Sequence, residues 1–331
     1  MRISVLDQSP IIENFSCGDA IQETINLAKE AEQLGFYRYW LAEHHNMRGL
    51  ANPCPEILLP IIGAATKKIR IGTGGILLPY YSPLKVAETF NMLETLFPQR
   101  VDLGIGRAPG GDKLTADALN DQAFADINSF PDKVIETIAW LNNKFPKKHV
   151  FNNIKAMPES PTSPQIWLLG SSNYSSSLAS YLGLRFAFAH FISAKGGNEA
   201  SNNYRREFKK SEKEEKPYNM VCVSVICANS QEKAEQLAAP LNHRRVSITT
   251  GKEGPIQTTE KSKLNNYSEL ENKVIEQNRD RSIIGCPKYV KEKLEAIKTE
   301  FNADEIMLLT ITGDYRERIS SYELVADAFE L

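Results

Sequence analysis

Four short apolar runs begin near residues 3, 37, 69 and 101, and one helix-periodic stretch separates each from the next. Strand-helix alternation of this kind gives parallel strands joined by right-handed crossovers. The spacing of 32 to 34 residues suits the average unit of a (β/α)8 TIM barrel. In that fold the polar residues that matter collect at the carboxyl ends of the strands.

Ile3–Leu6 is the first strand, and a helix is expected from an N-cap at Asp19 to a C-terminal turn at Gly35, with Ile21, Ile25, Ala28 and Ala31 as its buried stripe. Tyr37–Ala42 is the second strand. The helix expected over Glu56–Thr66 is apolar nearly all round, which suggests burial on more than one side, one explanation being a subunit interface. Residues 69–75 form the third strand, Ser82-Pro83 opens the next helix, and Val101–Gly106 is the fourth strand.

Beyond Arg107 the rhythm loosens. Ala108–Phe124 reads as a long loop, Asn128–Leu141 as a helix, and residues 146–164 as an irregular excursion with four prolines. Strands follow at 166–170, 185–190, 220–228 and 305–311. Helices are expected to end near Gly183, over Asn198–Glu215 and Gln231–Arg245, after Pro287, and over Tyr315–Phe329. Residues 247–282 carry almost no periodic apolar pattern and read as a mobile insertion at the carboxyl end of the barrel.

The 331 residues, 42% hydrophobic and 24% charged, are enough for one large core. A net charge of −2 offers no basic surface to nucleic acid or to an anionic membrane. Five scattered cysteines with no C-x-x-C pair suggest reduced thiols and a cytoplasmic protein. No signal peptide is expected, and no apolar run approaches the roughly 20 residues of a membrane span.

Several strand ends carry residues with chemistry. His44 follows the second strand in Glu43-His44-His45. It is open to two readings, an acid/base near neutral pH or a hydrogen-bonded structural histidine. Neighbouring strand residues face opposite ways, so His44 and His45 cannot share one centre. The spacing of a zinc site is absent, and no metal is expected. Gly104–Gly111 misses the dinucleotide fingerprint, because its second gap is three residues and no helix pattern follows. Arg107, just past the fourth strand, either clamps a phosphate or is a solvated loop arginine. Ser171 and Ser172 open a helix, where free N–H groups either bind an anion or are simply capped. Arg107 and Ser172 sit on neighbouring strands and could hold one phosphate between them. Gly74-Gly75 permits close approach by a flat ring, or is a plain turn. His190 and Cys54 read as structural.

Trp40–His45, Ile71–Pro79, Leu103–Arg107 and Ile284–Pro287, in that order, together resemble the bacterial luciferase-like flavin-dependent monooxygenase family. The similarity runs through nearly the whole chain and is weakest over 108–160 and 247–282. It implies one TIM-barrel domain over residues 1–331, with insertions in those two stretches. It further implies FMN at the carboxyl mouth, His44 as the catalytic histidine, and Arg107, Ser172 and Ser171 at phosphate-binding positions. A non-prolyl cis peptide is implied at Gly74-Gly75. Luciferase itself has cysteine at the position of Gly106 and glutamate at that of Ser171, which argues against light emission. The implied activity is a two-component monooxygenase that uses reduced FMN and O2 on a small organic molecule such as an aldehyde. A separate flavin reductase would supply the cofactor, and the protein would be a homodimer. The alternatives on the same fold are hydride transfer with F420 and a non-catalytic flavin-binding protein. Outside the family, a phosphate-sugar barrel enzyme would also explain an anion site between the fourth and fifth strands.

Overall fold

Strand residues alternate between an outward set that packs under the helices and an inward set, and the strands close on themselves. The computed structural model describes residues 1–121 and 129–331. Its strands are β1 (Arg2–Asp7), β2 (Arg38–Leu41), β3 (Arg70–Thr73), β4 (Ile76–Leu77), β5 (Val101–Gly106), β6 (Gln165–Gly170), β7 (Arg185–Ala189), β8 (Asn219–Cys227), β9 (Ser282–Gly285) and β10 (Glu305–Leu309). The parallel ring runs β10-β1-β2-β3-β5-β6-β7-β8, and β8 pairs with β10 to close it. This is a (β/α)8 barrel. β4 continues β3 beyond Gly74-Gly75 and pairs with β5 through Ile76↔Ile105. β9 is an addition: it pairs with the last residues of β8, Ser224–Cys227, after β8 has left β10.

The two-residue period of the strands separates two cores. Val5, Tyr39, Leu41, Ile71, Leu103, Val221, Val223 and Leu308 face outward and pack under the helices. Leu6, Trp40, Trp167, Met220, Cys222 and Met307 face inward and pack on one another. The interior is layered. Near the amino ends of the strands, buried Arg38 pairs with Asp102 at 2.6 Å and with Glu305 at 2.7 Å. Arg70 adds a second contact to Asp102 at 2.6 Å. Burial alone would raise the Asp102 pKa, but Arg38 and Arg70 hold it below the usual carboxylate range. Above this ionic plug, Trp40 and Trp167 meet edge-to-face with centroids 5.2 Å apart. Trp40 Nε1 donates to Asp102 at 2.9 Å. The plug and the tryptophans fill the lower barrel, so open space is left only toward the carboxyl ends.

The helices of the first half are α1 (Cys17–Gln33), α2 (Pro55–Ala65), α3 (Pro83–Leu96), α4 (Lys113–Leu119), α5 (Ser129–Leu141) and α6 (Asn173–Leu182). Those of the second half are α7 (Gly197–Glu207), α8 (Gln231–Leu237), α9 (Ala239–Thr249), α10 (Thr259–Lys263), α11 (Glu269–Gln277), α12 (Pro287–Glu300) and α13 (Tyr315–Phe329). Several differ from the sequence-based expectation. The N-cap of α1 is Ser16, and Asp19 is the third helical residue of a capping box. In α2, Leu58, Leu59 and Ile62 are buried, but Ile57 is 66% and Ile61 49% exposed, so only one face packs on the barrel. The expected loop after Arg107 contains α4, capped by Asp112 through the Thr115 N–H. The end of that loop and the start of the next helix lie outside the described residues.

The expected helix over Asn198–Glu215 stops at Glu207, where the Lys209 N–H turns to the Ser180 carbonyl. The helix expected over Gln231–Arg245 is two helices, because Pro240 has no N–H to donate to a continuing turn. Residues 247–282 are largely helical. Both α10 and α11 carry side-chain caps, from Thr258 and Ser268, and α11 buries no residue, which is why no apolar period marks it. The chain leaving α9 is tied to the mouth of the barrel. Glu253 accepts the N–H groups of Arg48 and Gly49, each at 2.8 Å. Ile256, 1% exposed, bridges to Ile12.

Candidate active site

The space above Trp40 and Leu6 is a cavity of about 550 Å³ at the carboxyl ends of the strands. Its walls are mainly apolar, with Ala42, Leu77, Phe130, Phe188, Phe191 and Ile192 among them. The six residues singled out from sequence, His44, Gly74, Gly75, Arg107, Ser171 and Ser172, all line this cavity.

β2 ends at Leu41 and the chain runs on through Ala42-Glu43-His44. Glu43 is buried and turned into the wall. It accepts the Leu77 N–H at 2.9 Å, the Tyr81 hydroxyl at 2.7 Å and a bond with His45 Nε2 at 2.8 Å. It therefore locks the end of β2 to β4 and leaves the next residue, His44, facing the cavity. His45 is spent on Glu43, so only one histidine of the pair is presented. The His44 backbone N–H donates to the Asn52 carbonyl at 3.3 Å, and its side-chain Nδ1 is sealed without a hydrogen-bond partner. Burial, and then the positive charge of Arg244 and the neighbouring His45, pull its pKa down to about 3. The ring is thus a neutral imidazole, with one nitrogen able to donate and the other able to accept.

The peptide bond between Gly74 and Gly75 is cis, as the family resemblance implies. A Cβ on Gly74 would stand 2.6 Å from a Leu6 methyl, and one on Gly75 2.6 Å from the Gly104 carbonyl oxygen. Side chains are thereby kept out of this wall.

Arg107 follows β5 and stacks on the Tyr174 ring, 4.1 Å from its centroid. It makes no ion pair with any described residue. Ser172 is the N-cap of α6, yet its hydroxyl caps nothing. β5 and β6 are neighbours in register, so Arg107 and the start of α6 arrive at one rim of the cavity. A stacked, unpaired guanidinium beside uncapped helix N–H groups has the chemistry to receive an anion. Sequence reasoning did not single out Tyr174; Gln8, polar at the end of β1 and so expected at the mouth, lines the cavity with its Oε1 sealed and unpartnered.

Two other strand-end hydroxyls are turned to structural use. The Thr310 hydroxyl donates to the Val225 carbonyl and that of Thr312 to the Asp314 carbonyl. His190 is buried against Phe301, and Cys54 precedes α2. Among the described residues no cluster of His, Cys, Asp or Glu could hold a metal ion, and no helix is long and apolar enough to cross a membrane.

Residues 1–304 match the model of the luciferase-like monooxygenases. A luciferase-like monooxygenase of Escherichia coli (strain K12) is 39% identical over 330 residues, covering 100% of this chain and 97% of its own. An N-acetyl-S-alkylcysteine monooxygenase of Bacillus subtilis (strain 168) is 33% identical over 332 residues, covering 99% of this chain and 98% of its own. The chain belongs to the luciferase-like monooxygenase family. The crystal structure of apo-MsnO8 superposes with a TM-score of 0.91 at 33% identity, covering 100% of this chain and 98% of that one. Two structures share the fold at lower identity. The oxygenating constituent of 3,6-diketocamphane monooxygenase from Pseudomonas putida, in complex with FMN, has a TM-score of 0.73 at 18% identity, covering 99% and 97% of the two chains. An F420-dependent secondary alcohol dehydrogenase has a TM-score of 0.70 at 14% identity, covering 99% and 98%.

Proposed function

We propose that this protein is the oxygenating component of a two-component, FMN-dependent monooxygenase acting on a small organic molecule. The observation that carries the reading is an unpaired guanidinium beside an uncapped helix start at the β5–β6 rim. Arg107 and the uncapped start of α6 meet there without a protein partner, at the edge of an apolar cavity walled by Gly74-Gly75. These residues fit the cofactor. Arg107, Ser171 and Ser172 would hold the phosphate, and the two glycines would leave room for the flat ring. Reduced FMN, when bound, supplies the electrons that activate O2, a chemistry protein side chains lack.

The chain's own residues have three tasks. The apolar wall keeps bulk water from the reacting centre. Glu43 fixes the end of β2, so that His44 faces the cavity. His44, neutral at physiological pH, can take a proton from the substrate or return one as the catalytic histidine. The FMN complex of a protein described as an oxygenating constituent, and the two monooxygenases above 30% identity, support the reading. A separate flavin reductase and a cytoplasmic location belong to the same proposal. So does a homodimer formed through the exposed Ile57 and Ile61 of α2. The single domain over 1–331, with 247–282 covering the mouth, completes it. One observation favours a second reading: a receptor built from Arg107 and α6 would take the phosphate of F420 equally well, and an F420-dependent enzyme shares the fold.

The test is an anaerobic titration of wild type and Arg107→Ala with reduced FMN and, in parallel, reduced F420. FMN binding weakened about tenfold to a hundredfold in the variant is expected for a lost charge-assisted contact. Preference for F420 moves the reaction to hydride transfer, and binding of neither removes the flavin reading.

A further inference from the structure

Gln8 follows the last residue of β1, and the two-residue period puts it on the inward side with Leu6. Its neighbours turn the other way and are satisfied. Asp7 accepts from Arg318 of α13 at 2.6 Å, and the Ser9 hydroxyl accepts from Thr24 of α1 at 2.9 Å. Gln8 is 6% exposed and lines the cavity with Leu6, Trp40 and Ala42. Its Oε1 is sealed in that wall and has no hydrogen-bond partner among the described residues. A buried amide oxygen is costly to leave unmet, and a structural glutamine would be bonded to the protein. The rim proposed for the phosphate is remote, because β1 stands directly across the ring from β6, whose end carries Ser171 and Ser172. Glu43 is committed to Leu77, Tyr81 and His45. Gln8 and His44, carried by the neighbouring β1 and β2, both line the cavity, and each holds an unmet atom, Oε1 and Nδ1.

We propose that Gln8 is a substrate-binding residue, whose carboxamide hydrogen-bonds a neutral amide or hydroxyl group carried on an apolar body beside His44. No bond holds the Oε1 end, and the terminal torsion of glutamine is broad, so either end of the carboxamide can turn to the ligand. A carboxamide offers both a donor and an acceptor, which an amide or a hydroxyl group answers in kind. It carries no charge to pair with an ion, so the group it selects is neutral. Phe188, Phe191 and Ile192 on the wall suit the apolar body. The inference rests on the proposed function only in taking the cavity as a substrate site.

The experiment measures equilibrium binding of benzamide, benzyl alcohol, benzoate and toluene by NMR titration. Wild type, Gln8→Met, which is close in shape, and Gln8→Leu are titrated with and without FMN, after circular dichroism has confirmed that each variant is folded. Benzamide or benzyl alcohol should bind wild type, and should bind it more tightly than benzoate does. In both variants the affinity of that probe should fall about tenfold relative to toluene. FMN affinity should stay within about twofold, because its phosphate is held across the ring. The proposal is overturned if neither polar probe binds wild type, if benzoate binds best, or if the affinity relative to toluene is unchanged in the variants. It is also overturned if the variants lose FMN instead, which would put the ring of the cofactor at Gln8. Failure of FMN to bind wild type counts against the proposed function alone, because the comparison without FMN still reads Gln8.

Discussion

Lowering the pH from about 8 to about 5 loads protons onto histidines of the unfolded chain but not onto His44 in the fold. Its folded pKa of about 3 lies below the unfolded value of about 6.5. Between those two values the unfolded state binds the extra proton, so stability rises with pH. The contribution is fully present above about pH 6.5 and is lost as pH falls toward about 3. The slope is about 1.4 kcal/mol per pH unit, or about 2 kcal/mol lost at pH 5. His190 and His243 are also pulled down by burial and add the same sign, so wild type must be compared with His44→Gln. The assay is urea unfolding of both proteins across that range. The stability gap between them should shift by about 2 kcal/mol against wild type at the acid end. Histidine ring NMR gives the direct reading, with no His44 titration between pH 5 and pH 8. A ring that titrates near 6.5, or a gap that does not change with pH, refutes the argument that burial and Arg244 keep His44 neutral.

Replacing Glu43 by Ala strips the acceptor from the Leu77 N–H, the Tyr81 hydroxyl and His45. The expected cost is about 3 kcal/mol or more in urea unfolding; a loss under about 1 kcal/mol would mean that water replaces the carboxylate. A Cβ at Gly104 would lie 2.0 Å from the Thr73 carbonyl oxygen, so Gly104→Ala should cost more than about 3 kcal/mol or leave the protein insoluble. A thermal midpoint within a few degrees of wild type would contradict that geometry. Aspartate in place of Ile57 or Ile61 should leave the fold within about 0.5 kcal/mol, since both are exposed. Sedimentation should then show the dimer dissociating; wild type sedimenting as a monomer would dismiss the proposed interface.

The barrel was legible because its evidence is local. Strand runs such as Val101–Gly106 and helices such as Tyr315–Phe329 match expectation residue for residue, since one buried face leaves a period in the sequence. The helices that escaped notice lack that mark. α11 buries nothing, and the break between α8 and α9 follows from a single proline inside an otherwise continuous pattern. Their caps at Thr258 and Ser268 were present in the sequence, but caps without a stripe are easily taken for loop residues.

The mouth of the barrel was legible only in part. His44, Arg107 and the serines were found because parallel strands end on one rim, so position in the strand fixes position in space. Nothing in the sequence distinguishes Glu43, whose three donors come from His45, Leu77 and Tyr81, from any other strand-end carboxylate. Nothing in the sequence singles out Arg244 on its helix. Only folding brings its charge to His44 and leaves Glu253 occupied elsewhere. The sequence by itself determined the barrel strands, the helices that bury a stripe and which strand ends are polar, because burial period and turn chemistry act over a few residues. The tertiary structure alone decided which polar groups keep an open valence, because hydrogen-bond partners and desolvation are settled between segments tens to hundreds of residues apart.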